Sequence, residues 1–255
     1  MLSIIKFSIY DKGINEAVKF TFSIQKKYPG YICLVPTHGF SLSLINTKFK
    51  EILMNALLIL PDGKPVALYD SIKKNCSSKQ VRGIDFMYNI IKTANDSKSK
   101  NNFFFLGGNT NTKIKISRII KNNFPNINIL GFDTRKIDND YENNELIEVI
   151  NLNKPDFVFI GLGCPKQEIW MFNNYKKINS ILIGVGAAFD FFSGNKKQAP
   201  KIFQKYYLEW LYRFIQEPRR LFIRYIIYNT IFVIHFFLVL PLLILFSIKI
   251  KFSKK

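Results

Sequence analysis

Short apolar runs at 31–36, 57–60, 103–106, 127–132, 156–160 and 180–185 recur along the chain. Each has the length and continuous hydrophobicity of a strand buried on both faces. The segments between them are long enough for helices. Asn15 to Lys27, Phe40 to Asn55, Thr110 to Asn123 and Glu142 to Asn153 mix apolar and polar positions at roughly helical spacing. Strands alternating with helices predict a parallel sheet in a Rossmann-like α/β domain. Lys92 to Asn102 is polar and reads as a solvated loop.

The run Asp156-Phe-Val-Phe-Ile-Gly-Leu-Gly-Cys-Pro-Lys-Gln-Glu168 breaks at Gly161 and Gly163 into the polar quartet Pro165, Lys166, Gln167, Glu168. A strand opening into a helix start is a ready anion site, because free N–H groups and the positive dipole end face the ligand. An ordinary tight strand-to-helix turn has the same pattern.

After about Gly194 the character changes. Gln204 to Gln216 carries Tyr207, Leu208, Leu211, Phe214 and Ile215 on one broad side, and Pro218 restarts the helix. From Tyr225 to Ile248 the chain is nearly all apolar, interrupted by Asn229, Thr230, His235 and Pro241, and basic residues lie on both sides. That length suffices to span a bilayer, but the balanced charge gives no orientation, and Pro241 also suits a re-entrant or interfacial hairpin. His235 reads either as an intramembrane functional group or, preferentially, as a helix-interior residue. The expected division is residues 1–194 as the α/β domain, 195–224 as a helical appendage and 225–255 as an apolar membrane-associating segment with a basic tail.

The net charge of +19 on 255 residues raises nucleic-acid binding as a reading. Residues 196–255, however, hold 12 Lys or Arg against 2 acidic residues, so the charge gathers beside the apolar segment and no nucleic-acid motif accompanies it. Lipid is the better partner. Cys33, Cys76 and Cys164 are widely spaced and form no Cys-x-x-Cys pair, which argues against a disulfide framework or a zinc site. The N-terminal apolar run is too short for a signal peptide, so the main domain is expected in the cytosol.

Several blocks together resemble the WecG/TagA/CpsF glycosyltransferase family. They are Leu60-Pro-Asp-Gly-Lys-Pro65, Val81-Arg-Gly-Ile-Asp-Phe-Met87, Phe105-Leu-Gly-Gly108, Gly161 through Glu168, Gly184-Val-Gly-Ala-Ala-Phe-Asp-Phe-Phe-Ser-Gly194, and Ala199-Pro200 through Leu208-Glu-Trp-Leu-Tyr-Arg213 to Glu217-Pro-Arg-Arg220. The resemblance spans about residues 10 to 225, with the blocks in family order. It implies inverting transfer of a sugar, N-acetylmannosamine type by family default, from a UDP-sugar to a polyprenyl-diphosphate-linked saccharide. The place implied is the cytoplasmic membrane face, in the synthesis of cell-surface polysaccharide or a teichoic-acid-like polymer. It implies no cofactor beyond the donor substrate and no metal, and self-association as one way of covering apolar surface in solution. A nucleotide-sugar-binding scaffold without catalysis is the alternative reading.

Asp62, between Pro61 and Gly63 at a strand end, faces the usual ligand crevice of a parallel sheet. Alone it reads first as a cap of the following helix; the resemblance makes it the catalytic base. Thr37, His38 and Gly39 end the first strand and are candidates for contacts with substrate hydroxyls. Gly39 replaces the Asn of relatives with Thr-x-Asn, while other relatives carry His-Gly as here. His38 reads as a helper of Asp62, as the base itself, or as a structural residue. Gly107, Gly108, Gly161, Gly163, Gly184 and Gly186 are expected along the nucleotide pocket, with Pro165, Lys166, Gln167 and Glu168 at uracil, ribose or phosphate. Asp85 and Asp190 are weaker candidates, each equally an ordinary helix-start residue.

Arg213, Arg220 and Arg224 fall near one helical face if Pro218 kinks the helix only modestly, and three guanidinium groups suit a diphosphate. A solvated basic face is the plainer reading. Asp138-Asn139-Asp140 has the Asp-x-Asp form of metal-using glycosyltransferases, but it lies apart from every matched block and is set aside.

Overall fold

The computed structural model describes residues 7–25, 29–97, 100–135, 137, 139–206 and 208–242. All six expected strands form: β1 (Gly30–Val35), β2 (Leu58–Pro61), β3 (Asn101–Gly107), β4 (Ile127–Asp133), β5 (Phe157–Gly161) and β6 (Ile181–Gly184). They make one parallel sheet in the order β2-β1-β6-β5-β3-β4. The helices before, between and after them are α1 (Ile14–Ile24), α2 (Thr37–Ile45), α3 (Thr47–Met54), α4 (Lys64–Lys74), α5 (Gly83–Asp96), α6 (Thr110–Asn123), α7 (Asp140–Asn153), α8 (Lys166–Asn174) and α9 (Ala188–Phe192). Beyond the sheet lie α10 (Lys201–Lys205), α11 (Glu209–Gln216) and α12 (Pro218–Ile234).

Alternation along the strands builds two cores. Tyr31, Cys33 and Val35 of β1, with Phe104, Leu106, Val158, Ile160 and Leu182, face Phe40, Phe49, Leu146 and Met171 on one side. Ile32, Leu34, Phe103, Phe105, Phe157, Phe159, Ile181 and Ile183 face Ala17, Phe86, Ile90, Ile116 and Phe189 on the other. Burial on both faces is why β1, β2, β3, β5 and β6 read as apolar runs, while the edge strand β4 is only partly covered. Phe103 and Phe159 stack across the sheet at 5.8 Å between ring centroids, where each buried ring contributes about 1.5–3 kcal/mol.

Asparagines set several helix starts. Asn46, Asn109 and Asn139 each accept a hydrogen bond from the backbone N–H three residues on. Asn46 thereby splits the single helix expected over 40–55 into α2 and α3, because its extended backbone breaks the first while its side chain caps the second. Asn139 and Asp140 of the Asp-x-Asp run form the cap and first turn of α7, and Asp138 lies outside the described residues. The solvated loop expected from Lys92 is a helix as far as Asp96, since Met87, Ile90, Ile91 and Ala94 continue a buried face.

The C-terminal part differs most from expectation. The helix expected over 204–216 is broken between α10 and α11, and Tyr207 lies outside the described residues. Only Glu217, with φ −135° and ψ 57°, separates α11 from α12, and it turns the chain back on itself. Trp210 and Tyr225 meet at 6.1 Å, as do Phe214 and Tyr225. In a straight helix, residues 15 positions apart stand about 22 Å apart. The modest kink assumed at Pro218 is therefore a sharp corner.

From Pro218 to Leu242 the helix is continuous, with a π-helical stretch at His235–Val239; its most apolar stretch of 18 residues has a mean hydropathy of 1.9, and its length and composition suffice to cross a bilayer. One side, however, is fastened to the α/β domain. Ser41 Oγ donates to the Tyr228 carbonyl at 2.7 Å, Phe232 packs on Phe40 at 5.6 Å, and the fully buried His235 places Nε2 3.1 Å from the Tyr69 hydroxyl. His235 is thus a helix-interior residue, and burial holds its pKa down at about 4. The opposite side exposes Phe222, Ile223, Ile226, Ile227, Val233, Ile234, Phe237 and Leu238. This one helix runs through residues 224 and 225, where appendage and membrane segment were divided; the tail lysines Lys249, Lys251, Lys254 and Lys255 lie outside the described residues.

Candidate active site

The carboxyl ends of four neighbouring strands, β2, β1, β6 and β5, open into one cavity roofed by α11 and α12. Thr37 and His38 enter it after β1, Asp62 after β2, Gly163, Cys164 and Gln167 after β5, and Gly186 after β6, while Arg213, Trp210, Tyr225 and Asn229 come from the helical roof. Lys64, Gln80, Arg82, Lys197, Gln198 and Glu209 add to the charged and polar lining. Its cationic side chains outnumber its carboxylates, which suits an anionic ligand.

Asp62 lies just beyond β2, where its N–H donates to the Val35 carbonyl. Its Oδ1 accepts from Gly83 N–H at 2.8 Å, so the carboxylate caps α5 rather than the helix that follows it. Burial raises its pKa, opposed by Arg213, the Gly83 N–H and Arg82. Gln80 Nε2 donates to the Asp62 carbonyl at 2.7 Å, fixing the backbone as well. A Cβ on Gly83 would stand 2.8 Å from the Val185 carbonyl oxygen. Gly83→Ala is therefore expected to cost about 1–3 kcal/mol of stability, measured by chemical denaturation, and to displace the Asp62 carboxylate.

His38 sits in the first turn of α2, with one ring nitrogen bonded to the Cys164 backbone and Nε2 fully covered and unpartnered. Burial first, then Arg224, Arg213 and Arg220, press its pKa to about 4, so the ring is neutral at physiological pH. The three arginines converge across the corner, and the same three act on Tyr225. Arg213 lines the cavity and lies 5.1 Å over the Phe191 ring. Arg220 pairs with Glu217, which also holds Lys196 at 2.7 Å, and Lys196 reaches Asp190 at 3.1 Å. Arg82 grips Asp85 through two nitrogens, at 2.6 and 3.1 Å, and approaches Glu209 of α11 at 3.6 Å. Such part-exposed pairs add at most about 1 kcal/mol each, so they orient the roof more than they hold it.

At the start of α8 the loop N–H groups expected to meet phosphate are already engaged. Gln167 Oε1 accepts from Gly163 N–H at 3.2 Å and Gly186 N–H at 3.0 Å, tying two strand-end loops together. Its Nε2 donates to Glu168 Oε1 at 2.9 Å. Glu168 is wholly buried, faces Gln167 and Cys164, and has its pKa raised by burial to about 7. A carboxyl whose folded value exceeds its unfolded value stabilises the fold while protonated. This contribution is complete below about pH 4.5 and is lost as pH rises to 7. Glu168→Gln keeps the acceptor for Gln167, and its stability relative to the native chain is expected to improve by about 2–3 kcal/mol between pH 5 and pH 8 in denaturant titrations.

Among the described residues, Gly39, Gly107, Gly108, Gly161, Pro165, Lys166, Glu168, Gly184, Arg220 and Arg224 do not line the cavity. Gly39 lies against Cys164, Gly184 against Met171 and Gln167, and Gly161 against the Phe189 ring. Gly107 ends β3 and Gly108 follows it, one strand beyond the four that form the cavity. Lys64, Gln80, Arg82, Lys197, Glu209, Trp210, Tyr225 and Asn229 are among the lining residues not singled out from sequence. Arg82 and Trp210 were within reach, since each sits inside a block used for the resemblance.

A sequence model described as "Glycosyl transferase WecG/TagA/CpsF family" matches residues 2–241. An N-acetylglucosaminyldiphosphoundecaprenol N-acetyl-beta-D-mannosaminyltransferase of Bacillus spizizenii is 29% identical over 202 residues, covering 78% of this chain and 76% of its own. A Staphylococcus aureus protein of the same name is 29% identical over 208 residues, covering 81% and 80%. With the family match extending over nearly the whole chain, through the sheet, the Asp62 cavity and the helical roof, this protein belongs to the WecG/TagA/CpsF family of glycosyltransferases.

Proposed function

We propose that this glycosyltransferase moves an N-acetylmannosamine-type sugar from a UDP-sugar onto a polyprenyl-diphosphate-linked saccharide, with inversion, at the cytoplasmic face of the membrane. The product enters a cell-surface polysaccharide or teichoic-acid-like polymer. The observation that carries this reading is the meeting of a recessed carboxylate, Asp62, with the cationic groups of Arg82, Lys197 and Arg213 in one cavity. The acceptor hydroxyl attacks the anomeric carbon as Asp62 takes its proton. The bond from that carbon to the diphosphate breaks, and its electron pair leaves with UDP. Arginine charge offsets the negative charge growing on the diphosphate, the part that a divalent metal plays in other glycosyltransferases.

Residues 195–224 act as an appendage that completes the active site, and the segment after 224 associates with membrane. Because α12 is fastened to α2 and α4 along one side, its outward apolar face docks in the plane of the bilayer surface. Docking fixes the roof and limits wasteful hydrolysis of the donor. The test is UDP release from a panel of UDP-sugars by the full chain in liposomes, with and without a short polyprenyl-diphosphate-saccharide acceptor. Release that needs both acceptor and liposome supports the proposal. Equal hydrolysis and transfer without membrane contradicts the docking role, and binding without turnover across the panel favours a non-catalytic scaffold.

A further inference from the structure

We propose that Tyr69 and His235 are positioning residues for sugar transfer: the buried bond between them fixes the rotation of the C-terminal helix, Pro218–Leu242, and so holds the roof over Asp62. This rests on the transferase reading above. Neither residue lines the cavity. Tyr69 belongs to α4, and His235 stands about 15 Å along the helix from Tyr225. One face of that helix nevertheless joins them to the site. At about 100° per residue, Leu221, Tyr225 and Asn229, which line the cavity, share a side with Phe232 and His235, which pack on Phe40 and Tyr69. The first half of the helix covers the site and the second half is its footing. Because Trp210 and Phe214 pack back onto Tyr225, the helix that carries Arg213 follows the same footing.

Apolar burial does not set the rotation of such a helix, because it is non-directional. Hydrogen bonds do. Ser41 Oγ donates to the Tyr228 carbonyl at 2.7 Å, and the Tyr69 hydroxyl meets His235 Nε2 at 3.1 Å, two points about 10 Å apart along the helix. Together they define its register and its rotation. A slip of one residue would turn every side chain by about 100° and carry Tyr225 and Asn229 off the cavity. Stability does not call for a polar pair at this place. Tyr69 and His235 have no exposed surface, and His235 Nδ1 has no partner among the described residues. An unmet polar atom in a core is destabilising, whereas an apolar pair of the same shape would be neutral or better. What the polar pair adds to an apolar contact is a single arrangement, as one buried polar residue does in a coiled-coil seam.

The test pairs Tyr69→Phe with His235→Leu in one chain, which exchanges the polar pair for an apolar one and leaves neither partner orphaned. Beside it stands His235→Gln, whose amide both donates and accepts and so can keep the bond to the Tyr69 hydroxyl. Full-length chains in liposomes are compared in kcat, in KM for UDP-sugar and acceptor, and in thermal midpoint. The emission of Trp210, whose ring meets Tyr225 at 6.1 Å, reports the roof without any need for turnover. Trp170, the other tryptophan, is buried and serves as a constant background. The paired variant is expected to keep or raise its thermal midpoint while losing about 10–100-fold in kcat, the cost of a misplacement of about 1 Å arising far from the chemistry. Its KM for UDP-sugar should change little, its Trp210 emission should shift, and His235→Gln should recover most of kcat and the native emission. Activity and thermal midpoint falling together in the paired variant would mark a merely structural pair and overturn the proposal. So would native kcat in that variant, or a loss of kcat with native Trp210 emission. Should the native chain release no UDP with any pair of substrates, the transferase reading fails by itself. A Trp210 shift restored in His235→Gln then still supports the fixed rotation, and unchanged emission overturns it.

Discussion

Asp62→Asn is expected to lower sugar transfer about 10²- to 10⁴-fold while UDP-sugar affinity changes little, because the amide occupies the same space and cannot take a proton. The asparagine oxygen still accepts from Gly83 N–H, the bond that Oδ1 makes at 2.8 Å, so the α5 start and the Arg82-Asp85 pair beside it should persist. A purely capping role for Asp62 predicts the opposite division, with some stability lost and activity kept. The raised pKa of Asp62 adds a second sign. The base works only when ionised, so transfer should rise with pH through a value above the ordinary carboxylate range, and this limb should be missing from the residual activity of the variant. Steady-state kinetics from pH 4 to 8, paired with calorimetric binding of UDP-sugar, checks both parts.

Arg213→Ala is expected to lose about 10²–10³-fold in kcat, the usual cost of removing one preorganised group that meets charge developing in a transition state. Of the three arginines considered for the diphosphate, Arg213 is the one that lines the cavity, and its guanidinium carbon lies 5.1 Å over the Phe191 ring. Lysine in its place keeps the charge but loses the flat, two-pronged donor, so Arg213→Lys should recover only part of the loss. Arg220 is already occupied by Glu217, and its removal should cost less. Removing Arg213 also takes away an opposing charge beside Asp62, so the acid limb of the rate profile should move to higher pH.

The inner strands were legible because burial on both faces leaves little room for polar positions. Phe103 to Leu106 and Phe157 to Ile160 could be read off as they stand. Their order could not, since β1 lies beside β6 through contacts that no local pattern records. Asp62, Thr37, His38, Gln167 and Arg213 were legible as candidates: the first four lie at or just beyond strand ends, where a parallel sheet exposes its ligand crevice, and Arg213 belongs to the appendage. Gly107 and Gly108 share that position in sequence, yet β5 and β6 separate their strand from β1. Gln167 and Glu168 show another limit. Sequence marks the start of α8, but the preference of the Gln167 amide for two loop N–H groups over solvent is a tertiary fact.

The roof was the least legible region. An apolar run long enough to span a bilayer is the same whether one side faces lipid or protein, and it takes the bonds from Ser41 and Tyr69 and the packing of Phe232 on Phe40 to reveal that this helix is anchored along the domain. The corner at Glu217 likewise depends on Trp210 and Phe214 packing back onto Tyr225, contacts invisible to helical spacing. That corner carries Arg213 over the sheet edge, where the diphosphate is placed in the proposed reaction.

The most direct measurement is the product itself. Full-length chain in liposomes is supplied with UDP-N-acetylmannosamine and a short polyprenyl-diphosphate-N-acetylglucosamine, and released UDP is counted against acceptor-linked sugar whose anomeric configuration is read by NMR. The account predicts one β-linked sugar per UDP, in step with loss of the α-linked donor. UDP released without acceptor-linked product, or an α-linked product, would contradict inverting transfer assisted by Asp62.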